Sequence, residues 1–139
     1  MNTQKNILIG GITGGIGSSV AKLLSSQSHT ISGYARSEDK LTKLKSECSS
    51  IHTFTADATN TTDLATTFKA AHEAMGSIDV YIHAIGSIII KPAHLTNQAQ
   101  WLDTLNLNLS SAFYAMKEAL AIMQKQSNGS LIFYSSTAA

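Results

Sequence analysis

The sequence contains little cysteine, little proline and little charge. Cys48 is the only cysteine among 139 residues, which excludes an internal disulfide and any zinc site built from cysteines. Ten lysine and arginine residues stand against nine acidic ones, so no field of the whole chain recruits nucleic acid or an acidic membrane. Any anion-binding site must therefore be local.

Long apolar runs are also absent. The first apolar run, residues 7–9, is broken by Gly10 and Gly11, so it is too short for a signal peptide or a membrane span. We therefore expect a cytoplasmic protein without a membrane or nucleic-acid partner. A hydrophobic content of 43% is too high for disorder, and residues 1–139 are enough for one domain with a buried core.

Short β-rich runs alternate with helical patterns along the chain. The runs are residues 5–9, 29–34, 51–56, 78–85 and 130–135. Apolar residues at helical spacing lie between them, and the longest helix is predicted at about 97–126. This alternation predicts right-handed βαβ units and a parallel sheet covered on both faces, an α/β doubly wound fold. In a Rossmann-type arrangement the strand order is 3-2-1-4-5.

A glycine-rich turn, residues 10–17, follows the first strand and opens the first helix. Its sequence is Gly10-Gly11-Ile12-Thr13-Gly14-Gly15-Ile16-Gly17. Without Cβ atoms the chain can turn tightly, and a pyrophosphate can approach the backbone. The phosphates would then meet free N–H groups at a helix N-terminus, which predicts a dinucleotide site.

The end of the second strand bears on which dinucleotide binds. An NAD site normally has an acidic residue about twenty residues after the glycines, to accept hydrogen bonds from the ribose. Here the strand ends Tyr34-Ala35-Arg36-Ser37, with a guanidinium and no carboxylate. The guanidinium could bind a 2′-phosphate through charge-assisted hydrogen bonds, which favours NADP(H). The alternative is that Arg36 is a solvated residue at the start of the second helix.

Two further segments follow strands at the same predicted edge of the sheet. Asp57 comes directly after the third strand and could accept a hydrogen bond from the adenine amino group, although an isolated aspartate there is more often a turn or cap residue. The single proline, Pro92, lies in the loop after the fourth strand. In a doubly wound sheet this edge faces the ligand crevice.

Five segments in order resemble the short-chain dehydrogenase/reductase family. They are the turn at 10–17, with Gly10 in place of the family's first Thr; Asp57-Ala58; Asp79 to Gly86; Asn108 to Phe113; and Gly129 to Ser136. The resemblance covers essentially the whole chain. It implies an oxidoreductase that moves a nicotinamide hydride to or from a small carbonyl or alcohol substrate, as a carbonyl reductase or alcohol dehydrogenase does.

The resemblance also implies roles for individual residues. Those toward NADP(H) would be Gly11, Thr13, Gly14, Gly15, Ile16 and Gly17 at the pyrophosphate, Arg36 and Ser37 at the 2′-phosphate, Asp57 and Ala58 at the adenine, and Ala84 and Gly86 at the nicotinamide ribose. Ser136 would hydrogen-bond the substrate oxygen, and Asn108 would hold a water of the proton relay. A donor fixed where charge develops is usually a large catalytic factor.

The family's Tyr-x-x-x-Lys segment has no counterpart here. It is expected beyond Ser136, and three residues follow that serine. We therefore expect an incomplete domain whose 139 residues are inactive alone. One alternative is a non-catalytic dinucleotide-binding or interaction module. A further alternative, a divergent enoyl-thioester reductase, is suggested by His83, which stands where the family has an asparagine.

His83 is more typical of a hydrogen-bonded core histidine than of an acid or base. The other four histidines show no metal-ligand spacing with it or with one another, so no metal site is predicted.

The helix at 97–126 carries more apolar surface than one sheet face needs. Its apolar seam is Leu102, Leu105, Leu109, Phe113, Met116, Leu120 and Met123, and it adds Ala112, Ala115, Ala119 and Ile122. The resemblance also implies association, because related enzymes associate through this helix and the following one. We expect a homo-oligomer, a dimer or tetramer.

Overall fold

The computed structural model describes residues 3–136. It contains a five-stranded parallel sheet in the order β3-β2-β1-β4-β5. The strands are β1 (Asn6–Gly10), β2 (Thr30–Ala35), β3 (His52–Thr55), β4 (Val80–His83) and β5 (Ser130–Phe133). The predicted doubly wound arrangement and its strand order are confirmed.

Five α-helices connect the strands. They are α1 (Gly15–Ser26), α2 (Glu38–Glu47), α3 (Thr61–Met75), α4 (Gln98–Leu105) and α5 (Ser111–Gln126), with a 3₁₀ turn at Ala93–Leu95. A π-helical segment, Asn106–Ser110, joins α4 to α5. The predicted helix at 97–126 thus has about the right extent, but it is not one continuous α-helix. A π turn is a local widening of the helix that often lies at a functional site.

Short polar side chains set where three of the helices begin. Ser37 caps α2, Asn60 caps α3, and Asn97 forms a capping box with Gln100 at the start of α4. Each side-chain oxygen accepts a backbone N–H that has no partner within the helix. Helix α3 ends at Met75 and is capped by Gly76, whose φ of 83° is left-handed and therefore favours glycine.

The central strand β1 lies between β2 and β4 and pairs with both. Its last residue, Gly10, is opposite Tyr34 on one side and His83 on the other. Strand β4 is shorter than the predicted run 78–85, although Ala84 still donates its N–H to the Gly10 carbonyl at 2.9 Å. Because all five strands are parallel, their carboxyl ends meet at one edge.

Apolar side chains are buried on both faces of the sheet. On β1, Ile7 and Ile9 belong to the cluster on the side of α1 and α2, whereas Leu8 belongs to the cluster on the side of α3 and α5. This alternation is the two-residue period of a strand. It confirms the expectation of a sheet covered on both faces.

Helix α5 packs on the core mainly through small residues and exposes several large ones. Ser111, Ala115, Ala119 and Met123 are buried, so the helix packs closely. Part of the apolar seam instead faces outward: Leu109, Phe113 and Leu120 are 65%, 55% and 38% exposed. Within residues 3–136, no helix has the length and apolarity needed to cross a membrane.

Candidate functional site

A cavity of about 510 Å³ opens at the carboxyl edge of the sheet. Its wall is formed by the segments that follow β1, β2, β3 and β4. The predicted cofactor residues in this wall are Gly11, Thr13, Gly14, Arg36, Ser37, Asp57, Ala58, Ala84 and Gly86. Four segments far apart in the sequence therefore meet where the doubly wound sheet predicts a ligand.

The turn after β1 is compact because two glycines leave no room for side chains. Gly11 has a φ of +77°, and a Cβ there would lie 2.5 Å from the Ala84 carbonyl oxygen. A Cβ at Gly17 would overlap the Gly11 carbonyl. Gly15 differs, because a Cβ there would meet nothing within 4 Å. The first two glycines thus shape the turn, and the third leaves open space beside it.

The N-terminus of α1 lacks a side-chain cap. Its N-cap residue is Gly14, and no side chain accepts a hydrogen bond from the first turn, in contrast to α2, α3 and α4. Gly15, Ile16 and Gly17 form this first turn and lie next to the cavity wall rather than in it. Uncapped backbone N–H groups at a helix N-terminus suit a phosphate oxygen.

Two cationic side chains line the cavity near the end of β2. Arg36 is the only arginine of the sequence, and Lys40 follows four residues later on α2. Arg36 precedes Ser37, the N-cap of α2, and Lys40 lies in the first turn of that helix. Lys40 was not predicted from the sequence, where its signal is a second cation close after the end of β2. Ser37 lies between them and accepts the Lys40 backbone N–H at 3.4 Å, so its hydroxyl is first of all a helix cap.

Asp57 is a turn residue, and its contact with an adenine stays a prediction. It lies in the cavity wall, and its Oδ1 accepts the Thr59 N–H at 2.9 Å and the Thr59 hydroxyl at 2.8 Å. The backbone hydrogen bond from Thr59 is the main cause of a lowered Asp57 pKa, and the nearby Arg36 charge acts in the same direction. Asp57 is therefore a turn residue that presents a carboxylate to the cavity.

Asn108 connects the π segment to the loop after β4. Its Oδ1 accepts the Ser87 N–H at 2.9 Å, and its Nδ2 donates to the Thr104 carbonyl at 3.0 Å. A Cβ on Gly86 would come within 2.9 Å of Asn108 Oδ1. The neighbouring residue, Leu107, lines the cavity. Asn108 thus holds the edge of the site in place.

Ser136 lies three residues beyond the end of β5. It is exposed, and it is not one of the residues that line the cavity. Its position places it at the same sheet edge as Asn108, since parallel strands end on one side. The structure therefore leaves its predicted contact with a substrate oxygen untested.

His83 lies inside the protein. It is 4% exposed, and its Nδ1 and Nε2 contact the Tyr81 hydroxyl at 2.7 Å and the Ser111 hydroxyl at 3.2 Å. Burial lowers the His83 pKa to about 4, so the ring is neutral at pH 7. The interpretation as a hydrogen-bonded core histidine is confirmed. No group of three or more His, Cys, Asp or Glu side chains placed to hold a metal occurs in the described part of the chain.

Comparison with known proteins identifies the family. A family model described as short chain dehydrogenase matches residues 5–139. The chain belongs to this family. Short-chain dehydrogenases are oxidoreductases that act on small molecules, and the chain shares their Rossmann-type fold.

Individual relatives agree with this assignment. An uncharacterized oxidoreductase of Staphylococcus aureus is 26% identical over 132 residues, which cover 94% of this chain and 57% of that protein. A short-chain type dehydrogenase/reductase from Mycobacterium ulcerans is 26% identical with a TM-score of 0.94, over 99% of this chain and 54% of that one. ElxO, solved with NADP bound, is 25% identical with a TM-score of 0.88, over 96% and 56%. The chain therefore spans little more than half the length of these relatives.

Proposed function

We propose that this chain is the cofactor-binding part of an NADP(H)-dependent short-chain dehydrogenase, a carbonyl reductase or alcohol dehydrogenase. The observation that carries the proposal is the cavity at the carboxyl edge of the sheet. Arg36 and Lys40 line it, and so does Gly14, the N-cap residue of α1, whose first turn has no side-chain cap. The NADP-bound relative ElxO supports the choice of cofactor.

The residues present fit a dinucleotide along the length of the cavity. The open space at Gly15 and the uncapped turn of α1 would accept the pyrophosphate. Arg36 and Lys40 would bind a 2′-phosphate, with Arg36 able to donate two parallel hydrogen bonds. Asp57 would accept from the adenine amino group, and Ala58 would line its plane.

The small residues after β4 would accept the other end of the dinucleotide. Ala84 and Gly86 line the cavity without long side chains, so a ribose and a nicotinamide ring could lie against the backbone. When bound, the nicotinamide would donate or accept the hydride of the redox step. Asn108 keeps this wall in place through Ser87, and the adjacent π segment is where we propose that the relay water is held.

Ser136 is proposed to donate a hydrogen bond to the substrate oxygen. Its position after β5 lies at the carboxyl edge next to the end of β4, the side on which the nicotinamide would lie. A fixed donor at that oxygen stabilises the charge that develops during hydride transfer. The proton donor would come from a segment outside these 139 residues, because none of the four tyrosines has a lysine four residues later.

Calorimetric titration of the chain with NADP⁺ and with NAD⁺ tests the proposal. We expect NADP⁺ to bind more tightly, because only NADP⁺ offers the phosphate that Arg36 and Lys40 would neutralise. Equal affinity for the two dinucleotides would contradict the cofactor assignment. No binding of either would contradict the proposed site itself.

A further inference from the structure

A row of buried polar side chains crosses the sheet beneath the cavity. The Tyr34 and Tyr81 hydroxyl oxygens are 2.8 Å apart, and the Tyr81 hydroxyl lies 2.7 Å from His83 Nδ1. His83 Nε2 is 3.2 Å from the Ser111 hydroxyl, which donates to the Leu107 carbonyl at 2.5 Å. The row therefore runs from β2 through β4 to the π segment, and its four side chains are at most 4% exposed.

Chemistry gives this row one direction. A carbonyl oxygen can only accept a hydrogen bond. The Ser111 hydroxyl therefore donates its one proton to the Leu107 carbonyl. Ser111 Oγ can then only accept from His83, which requires the proton on Nε2. A neutral His83 consequently accepts at Nδ1 from the Tyr81 hydroxyl, and Tyr81 in turn accepts from Tyr34.

Gly10 makes room for the row. It lies on β1 between Tyr34 and His83, and a Cβ there would come within 2.6 Å of both the Tyr34 and the Tyr81 hydroxyl oxygens. Any side chain at this position would push the two hydroxyls apart. Gly10 and His83 are two of the positions where the sequence departs from the family pattern, and both belong to this row.

The last member of the row acts on the π segment. Ser111 holds the Leu107 carbonyl, and the next residue, Asn108, holds the Ser87 N–H at 2.9 Å. We propose that His83 is a positioning residue, fixed as the Nε2–H tautomer by the one-directional row, and that it holds the π segment and Asn108 against the loop after β4. That this loop lies beside a nicotinamide rests on the proposed function. The tautomer of His83 and the contact between Asn108 and the loop do not depend on it.

The surroundings favour a fixed row over a mobile one. Phe68 lies 5.1 Å from the Tyr81 ring and Phe133 lies 5.6 Å from the His83 ring, so apolar groups enclose the polar atoms. Burial raises the pKa of Tyr34 and Tyr81 and lowers that of His83, which keeps all three neutral near pH 7. Breaking one link would leave a buried donor or acceptor without a partner.

The first test is the tautomer of His83 in the unaltered chain. Two-bond nitrogen–proton correlation spectra of histidine-labelled protein at neutral pH distinguish the Nε2–H, Nδ1–H and charged rings. We expect His83 as Nε2–H. An Nδ1–H or a charged ring would overturn the proposal, and this measurement needs no variant to fold.

The second test removes the acceptor at Ser111. In Ser111→Ala we expect His83 to shift toward Nδ1–H, because Tyr81 becomes its remaining partner. Hydrogen exchange of the Ser87 amide should become about fivefold to tenfold faster, the size expected for one lost buried hydrogen bond. Exchange of Ile82, in the middle of β4, is the reference for global opening. Ser87 exchange that changes no more than Ile82 exchange would overturn the positioning role.

Ser32→Ala is the matched control. Ser32 is fully buried on β2, and its hydroxyl has no hydrogen-bond partner among the described residues. The variant should change neither the His83 tautomer nor Ser87 exchange, and a change of equal size would overturn the proposal. A separate NADP⁺ titration of the unaltered chain distinguishes the two ideas, because absent binding would contradict the proposed function while leaving the tautomer result intact.

Discussion

Gly17 packs against the carbonyl of Gly11 so closely that a Cβ on Gly17 would overlap it. This contact joins the start of α1 to the end of β1. Gly15, two residues earlier, has open space where its Cβ would be. The two glycines therefore differ: Gly17 is required by the packing of the turn, whereas Gly15 borders open space.

The first prediction separates these two purposes. Gly17→Ala should destabilise the fold by about 1–3 kcal/mol, because the backbone contact must open. Gly15→Val should change the free energy of unfolding by less than about 1 kcal/mol and should abolish dinucleotide binding, because the side chain would occupy the proposed phosphate position. Urea unfolding and calorimetry measure the two effects. Unchanged affinity in Gly15→Val would mean that the turn is structural only.

The second prediction concerns the cations. Arg36→Leu should weaken NADP⁺ binding by about 1–3 kcal/mol, the range for hydrogen bonds to charged groups, and leave NAD⁺ binding nearly unchanged. Lys40→Leu should act in the same direction with a smaller effect, because an ammonium is a point charge. Lys45→Leu is the control, since Lys45 lies on the same helix and lines a different groove. An equal loss in all three variants would indicate a general charge effect.

Much of the fold could be predicted from the sequence because its signals are local. The strands of the sheet are short β-rich runs, and the turn at 10–17 has a glycine pattern with a clear steric reason. The carboxyl ends of parallel strands share an edge, so the meeting of Gly11, Arg36, Asp57 and Gly86 in one cavity follows from topology.

Other features depend on tertiary contacts that no local pattern reveals. The π segment at Asn106–Ser110 lies inside a regular helical pattern. The buried side of α5 is set by how closely Ala115 and Ala119 approach the rest of the core, so the larger Phe113 faces outward. The row from Tyr34 to Ser111 depends on Gly10, because any side chain there would meet the Tyr34 and Tyr81 hydroxyls. These tyrosines lie on β2 and β4, which are far apart in the sequence.

The third prediction is a pH dependence of stability from His83. The folded chain keeps this ring neutral down to about pH 4, whereas the unfolded ring takes up a proton near its ordinary pKa of 6.5. The contribution is therefore complete above pH 6.5 and is lost as the pH falls toward 4, by up to about 3 kcal/mol. Urea unfolding measured at several pH values across this range should show a free energy of unfolding that depends less steeply on pH in His83→Asn than in the unaltered chain. The control His52→Asn, at an exposed site on β3, should keep the original slope.

The fourth prediction concerns assembly through α5. Leu109, Phe113 and Leu120 form an exposed apolar surface on the π segment and α5. We expect self-association through this surface, because a symmetric pair of such helices would bury it. Light scattering at micromolar concentrations should show a dimer or tetramer, and Phe113→Asp should lower the mass to that of a monomer. Lys69→Asp on α3, also exposed, is the charge control. A monomeric unaltered chain would contradict the prediction.

The last prediction concerns turnover by the 139-residue chain. Carbonyl reduction needs a proton donor near the nicotinamide. Tyr34 and Tyr81 are buried with raised pKa values, and Tyr114 and Tyr134 have no lysine four residues later. We therefore expect the chain to bind NADPH without oxidising it when a carbonyl substrate is added.

Absorbance of NADPH with a panel of aldehydes and ketones measures this, with a buffer blank as the control. The same chain extended by a segment that carries Tyr-x-x-x-Lys should become active. In that active form Ser136→Ala should lower kcat by about 10²–10³, the usual loss for one fixed donor. Substrate-dependent NADPH oxidation by the 139-residue chain would refute the prediction that these residues lack a proton donor. One of the four tyrosines, or another group, would then have to donate the proton without a lysine four residues later.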